Sequence, residues 1–223
     1  ILPNVAAPGS ITVADGAAYF TTGNNFLSGV FGSKDGTIAR VDLGTGALTT
    51  IATRLTMPNG MVRLPDGSFV VSRNIGWTTG LTRISADGTR ETRLAPSVTI
   101  ANGLAYDAAH NAVVASMDLH PVSTLAIVDI DDPSHIRTVN LGLFGLFGFP
   151  DDLTVGPDGL IYLAMDGGDI VRIDPDRHAA CILASGMFGS TSVRFGAGTG
   201  WDPQALYSTD LFGTVRKLTP TAG

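Results

Sequence analysis

Apolar and polar residues alternate in short runs along almost the whole chain, and the runs recur in groups. Five segments open a group: GSITVADG (9–16), NGMVRLPDG (59–67), NGLAYDAAH (102–110), DDLTVGPDG (151–159) and TSVRFGAGT (191–199). Alternation followed by Gly, Asp or Pro is the pattern of a half-buried strand entering a tight turn. A second run follows at once in each group: AAYFTTG, SFVVSRN, AVVASMD, LIYLAMD and ALYSTDL. The third runs are GTIARVDLGTG (36–46), GLTRISADGT (80–89), STLAIVDIDDPS (123–134), GDIVRIDPDRH (168–178) and GTVRKLTPTAG (213–223). Fourth runs read LTTIATR, ETRLA, IRTVNL and AACILA, and the fifth group has none.

A period in the forties, built of four short strands, predicts blades around a central channel. The expected fold class is all-β, a β-propeller of four-stranded blades, with five blades recognisable. No linker-like stretch breaks the repeat, so residues 1–223 are expected to form a single domain. The strand missing from blade five has two readings. Residues 1–5 supply it and close the ring, removing exposed sheet edges, or they are the tail of a sixth blade that this chain lacks.

Equivalent positions at the start of the inner strands are Gly9, Asn59, Asn102, Asp151 and Thr191, spaced by 50, 43, 49 and 40 residues. In a propeller the start of every inner strand faces the channel mouth, so polar residues there converge although they are distant in sequence.

Composition narrows the partners. Hydrophobic residues make up 44% and charged residues 15%, which argues for a buried core and against disorder. The net charge is -6, with 14 basic residues scattered singly against 20 acids, so no nucleic-acid partner is expected. The apolar stretch 139–150 falls well short of the ~20 residues of a spanning helix, so no membrane partner is expected either. The lone Cys181 lies in an apolar run and is expected to be a small buried hydrophobe. The first residues, Ile1, Leu2 and Pro3, show neither a Met nor a signal-peptide pattern, so the sequence reads as processed or truncated and indicates no compartment. Neither a Ser/His/Asp order with its G-x-S-x-G elbow nor a phosphate-binding glycine loop is present.

Two amides and one carboxylate converging in a channel form an oxygen-ligand set suited to a hard cation such as Ca²⁺. The set holds no His or Cys, which disfavours softer metals. Turn chemistry is the competing role, because Asn-Gly favours hairpins and Pro-Asp opens turns.

The strings PNGMVRLPDG, ANGLAYDAAHNAVVASMD, PDDLTVGPDGLIYLAMDGGDIVRIDP and STSVRFGAGTGWDPQALYSTDL resemble, in order, four successive blades of the gluconolactonase, regucalcin (senescence marker protein) and luciferin-regenerating enzyme family. The resemblance runs from Met57 to about Leu218. It implies a six-bladed propeller with one divalent cation that hydrolyses lactones of sugar acids or similar esters. Carried over by position, it implies Asn102 and Asp151 as metal ligands, Asp151 also as the catalytic base, and Asn59 as the residue that contacts substrate and water. Two departures stand out. Where the family has a metal-binding Glu in its first blade this chain has Gly9, while its single glutamate, Glu91, lies in an outer fourth strand; alternatively the Glu belongs to a blade this chain lacks. Where some members carry a substrate-binding Arg, two residues before Asn59, this chain has Met57.

Loops expected at the mouth carry Phe26, Val30 and Phe31 after the second run of blade one, and a glycine-rich series of Leu and Phe at 143–149. Such side chains either line a small-molecule pocket or pack between blades. Trp77 and His120 fall in equivalent loops, where His120 is a candidate acid or base or a solvated loop residue. The leading expectation is therefore a metal-dependent hydrolase of a lactone or related ester, gluconolactonase-like, with one Ca²⁺ and a small-molecule substrate more apolar than a sugar lactone. The alternative is a noncatalytic propeller that has lost the metal-binding Glu and binds a ligand or a protein partner. A lyase or isomerase would use the same residues.

Overall fold

The computed structural model of the chain describes residues 2, 4–118, 124–141 and 148–219. Blade one comprises β1 (Ile11–Ala14), β2 (Ala17–Thr22), a short helix α1 (Phe26–Phe31), β3 (Gly36–Asp42) and β4 (Leu48–Leu55). Blade two is β5 (Met61–Arg63), β6 (Phe69–Arg73), β7 (Gly80–Ile84) and β8 (Glu91–Leu94). Blade three is β9 (Ala101–Asp107), β10 (Ala112–Met117), β11 (Thr124–Asp129) and β12 (Ile136–Asn140). Blade four is β13 (Pro150–Val155), β14 (Ile161–Met165), β15 (Ile170–Asp174) and β16 (Ala179–Ala184), and blade five is β17 (Ser190–Phe195), β18 (Leu206–Asp210) and β19 (Val215–Leu218). Each sheet runs in sequence order, four with four strands and the last with three. The fold class is an all-β propeller of five recognisable blades, as the repeat predicts.

Two compact units divide the chain, the first formed by residues 1–104 with 132–134 and the second by 105–131 with 135–223. In the first unit, Ala17, Tyr19 and Ile38 of blade one pack against Met61, Phe69, Val71 and Ile84 of blade two. The rings of Tyr19 and Phe69 lie 5.4 Å apart in a tilted pair. In the second unit, alternate residues of β14 serve two interfaces. Ile161, Leu163 and Met165 pack with blade three, while Tyr162 and Ala164 pack with blade five. A strand buried on both faces has no polar side to show, so the second runs read as nearly continuous apolar stretches.

Aspartates hold the turns. The Oδ1 of Asp42 accepts from the N–H groups of Gly44 and Thr45 at 3.1 and 3.0 Å, and that of Asp66 from Ser68 at 2.9 Å. Asp87 does the same for Thr89, and the Ser85 hydroxyl followed by the Thr89 donors holds its carboxyl down to about 2. Folding back onto the backbone two residues on requires the short Asp side chain. The single glutamate among 20 acids follows from this use.

Two expectations are corrected. Cys181 is exposed, because β16 is the outer strand of its sheet and its residues 179–183 are all exposed. The segment expected as a loop after β2 forms α1, whose N-terminus is capped by Asn25 through Leu27 N–H at 2.9 Å and whose chain turns at Gly32 with φ 71°. The N-terminal segment shows no strand at residues 2, 4 and 5; Leu2 and Val5 pack against Ala18, Phe20, Ala39 and Val41 of blade one. Ile1 and Pro3 lie outside the described residues, as do His120, residues 143–147 of the Leu/Phe series, and 220–223. No helix among the described residues is long and apolar enough to cross a membrane.

Candidate functional site

Three amides form a chain in the first unit. Asn24 Nδ2 donates to Asn59 Oδ1 at 3.2 Å, and Asn59 Nδ2 donates to Asn102 Oδ1 at 2.5 Å. Asn59 is half-buried just before β5, and Asn102 is buried within β9. Their backbones are drawn close: a Cβ on Gly60 would lie 2.3 Å from Asn102 O and 2.9 Å from Leu104 N, so only glycine fits beside Asn59. Asn24 Oδ1 is buried with no hydrogen-bond partner on the protein, which leaves one amide oxygen of the chain available to a polar ligand.

Position 9 is closed to any side chain. A Cβ there would lie 2.5 Å from Thr21 Oγ1, 2.6 Å from Pro58 O and 2.7 Å from Asn59 O. A glutamate could not occupy this place without displacing the strand that carries Asn59. Met57 is buried, and a Cβ on Gly29 of α1 would meet its sulfur at 2.3 Å, so the helix rests on the thioether. Arg73 secures the neighbouring loop to the helix: its guanidinium donates to Gly29 O, Thr78 Oγ1 and Ile75 O at 2.6, 2.6 and 2.9 Å. Phe26, Phe31 and Trp77 are left 61%, 78% and 95% exposed, so these rings do not pack between blades. Glu91 is exposed on β8.

The second unit carries carboxylates instead. Asp151 is half-buried in β13, and its carbonyl accepts the hydroxyl hydrogen of Ser116 on β10. The adjacent Asp152 is committed to blade five: its Oδ2 accepts from Arg194 Nη2 at 2.7 Å and from Ser192 Oγ at 2.9 Å, while Arg194 Nη1 reaches Leu153 O at 2.6 Å. Just beyond β10 and β14 stand Asp118 and Asp166. Burial, and secondly the charge of Asp118, push the Asp166 carboxyl up to about 6. Its Oδ1 is buried with no hydrogen-bond partner on the protein.

Of the residues expected from sequence, the structure brings Asn59 and Asn102 into direct contact and places Asp151 in the second unit. Sequence reasoning missed Asn24, Asp118 and Asp166. The last two end the strings AVVASMD and LIYLAMD, and an acid closing an otherwise apolar strand was the available signal. Among the described residues no cluster of three or more His, Cys, Asp or Glu is placed to hold a metal. Every candidate donor is an amide or carboxylate oxygen, chemistry that matches a hard cation rather than a soft one. A depression of about 450 Å³ lined by Asp66, Arg83, Asp87 and Arg90 lies on blade two, apart from the amide chain.

A family profile described as strictosidine synthase-like, N-terminal, matches residues 146–173, the stretch that includes β13 and β14. No curated protein sequence matches the chain. Among solved structures, the chain is similar to one in a nidogen/laminin complex, at 18% identity over 88% of this chain and 68% of that one, with a TM-score of 0.69. It is similar to virginiamycin B lyase from Staphylococcus aureus, at 16% identity over 100% of this chain and 73% of that one, TM-score 0.62. It is also similar to a gluconolactonase from Xanthomonas campestris, at 16% identity over 87% of this chain and 65% of that one, TM-score 0.64. At such identities the likeness is one of fold, and the chain shares a propeller architecture with proteins as different as a lactonase, a lyase and a component of a protein complex.

Proposed function

We propose that the protein hydrolyses a lactone or related ester with the help of one divalent cation, Ca²⁺ by the chemistry of its donors. The observation that carries this reading is the Asn59–Asn102 amide contact at 2.5 Å, made by residues that hold the same position in successive repeats. Asp151 holds that position in the next repeat. Asn102 and Asp151 are the proposed ligands. When bound, the cation supplies positive charge that polarises the ester carbonyl. Asp151 accepts the proton of the attacking water, and Asn59 orients that water and the substrate through its amide. Met57 stands where an arginine would recognise a sugar acid, and Phe26, Phe31 and Trp77 are exposed in the same unit, so the substrate is more apolar than a sugar lactone. The fold likeness to a gluconolactonase supports the reaction class.

Calorimetric titration of the metal-stripped protein with Ca²⁺, beside Asp151→Ala, is the first test, followed by a panel of lactones of increasing acyl length. Stoichiometric binding that the variant loses, and turnover giving a product one water heavier than the substrate, is the expected result. A product of unchanged mass would assign an eliminase or isomerase.

A second reading has its own observation. The closure of position 9 removes the place for a first-blade carboxylate ligand, which favours a noncatalytic propeller that binds a small ligand or a protein. Asp151→Asn separates the two readings: a hydrolase loses cation affinity and turnover, whereas a binding propeller keeps its partner.

A further inference from the structure

The inner strand of each blade is a sheet edge, so every second N–H and C=O along it lacks a ladder partner. In three seams a hydroxyl on the second strand fills this gap in the same way. Thr21 Oγ1 accepts from Ser10 N–H at 2.9 Å within blade one and donates to Asn59 O at 3.4 Å. Ser72 Oγ accepts from Gly60 N–H at 2.8 Å within blade two and donates to Asn102 O. Ser116 Oγ donates to Asp151 O. All three hydroxyl residues are fully buried, at 0%, 1% and 0% exposure, so water does not compete for these bonds.

The three acceptors are the carbonyls of the three residues expected to form the site. The fourth seam provides the contrast. Register places Ala164 of β14 where the other blades carry the hydroxyl, since Leu163 pairs with Leu153 as Val71 pairs with Met61. Ala164 has no hydrogen to give, and the residue it would have reached, Thr191, is no site candidate. Instead Asp152 joins Ser192 and Arg194 across that seam. Cohesion between blades is thus available without the hydroxyl, and the hydroxyl occurs where a site side chain has to be aimed.

We infer that Thr21, Ser72 and Ser116 are positioning residues, each fixing the backbone carbonyl of Asn59, Asn102 or Asp151 and with it the direction of that side chain. This rests on the proposed function for its purpose but not for its geometry. A methylene-scale shift of Asn102 would open the Asn59–Asn102 contact. A strand held only by apolar packing slides more easily than one pinned by a directional bond.

The test uses the whole chain. Side-chain amide signals of Asn59 are followed by ¹⁵N NMR in the parent, Ser72→Ala, Ser72→Thr and Ala164→Ser, with Ca²⁺ titrations alongside. In the parent, the Asn59 NH₂ hydrogens are expected to be inequivalent and slowly exchanging. Ser72→Ala should move them to the values of a solvated amide and speed their exchange at least tenfold, and Ser72→Thr should restore them. Ala164→Ser should slow exchange of the 190–193 amides severalfold while leaving the Asn59 signals in place. Unchanged Asn59 signals in Ser72→Ala would overturn the inference, as would equal disturbance in the Ala and Thr variants. Should Ser72→Ala fail to fold, the Thr and Ala164→Ser results decide by the same criteria. If the parent binds no Ca²⁺ the proposed function falls, and the positioning role is judged by the amide signals alone.

Discussion

The two units carry the same repeat and give opposite electrostatics at its polar ends. In the first, Asn24, Asn59 and Asn102 are neutral, and the last two satisfy one another in a short hydrogen bond. In the second, burial first and the charge of Asp118 second push the Asp166 carboxyl up to about 6. Amides can donate and accept, so they can bond in a row, which here leaves Asn24 Oδ1 open. Carboxylates only accept when ionised, so they repel until a proton or a cation arrives. On the proposed function, the first unit orients and the second supplies charge. A hydrolase of the proposed kind needs both.

The sharpest break of this contrast is at Asp151. Asp151→Asn turns a carboxylate of the second unit into an amide of the first unit's kind, with almost no change in shape. If charge is the second unit's contribution, ester turnover falls by about 10² to 10⁴, the usual worth of a general base, and Ca²⁺ affinity falls with it. Turnover within threefold of the parent would show that the base lies elsewhere, and Asp166 would be the next residue to test.

Gly9→Ala probes the first unit's steric limit. Its Cβ would meet Thr21 Oγ1 and two backbone carbonyls, all within 2.7 Å. Backbone atoms cannot swing aside like a side-chain end, so a loss of about 1–3 kcal/mol is expected, seen as a lower midpoint in urea unfolding. A neutral outcome would mean that position 9 relaxes readily, and the argument against a ligand there would go with it. Asn102→Ala asks what internal satisfaction is worth. It leaves Asn59 Nδ2 without its acceptor in a half-buried place, at a cost of about 1–2 kcal/mol.

How much of this was legible beforehand differs by level. Alternation and turn residues disclose the nineteen strands among the described residues, since a period of two and the Asp/Gly turns are local signals. The six residues of α1 resemble a loop in sequence, because its Asn25 cap and Gly32 stop enclose too few residues to show a helical period. Cys181 was misjudged for a related reason. An apolar run reads the same in an inner or an outer strand, and only the sheet order shows that β16 is outermost. That Asn59 and Asn102 lie close was legible from their place in the repeat. Asp118 and Asp166 were not, because strand-ending aspartates look like the turn aspartates that abound here. Their mutual repulsion is a property of space and not of spacing.

Asp166→Asn carries the smallest expected effect and the clearest sign. The carboxyl ordinarily titrates at 3.8 and in the folded chain at about 6. Between these values the folded chain keeps a proton that the unfolded chain has released, so stability falls as pH rises through this window. Above about pH 6 the full penalty is present, and below about pH 4 it is gone. The side chain is only half-buried and solvent screens it, so the penalty is about 1 kcal/mol. Replacing the carboxyl by an amide removes the penalty. Asp166→Asn should therefore raise the melting temperature at pH 8 by a few degrees and leave it unchanged at pH 4. Asn102→Ala, which removes an uncharged amide, should lower it at both. If instead the two variants showed the same dependence on pH, the division of the repeat into an orienting unit and a charged unit would have no energetic content.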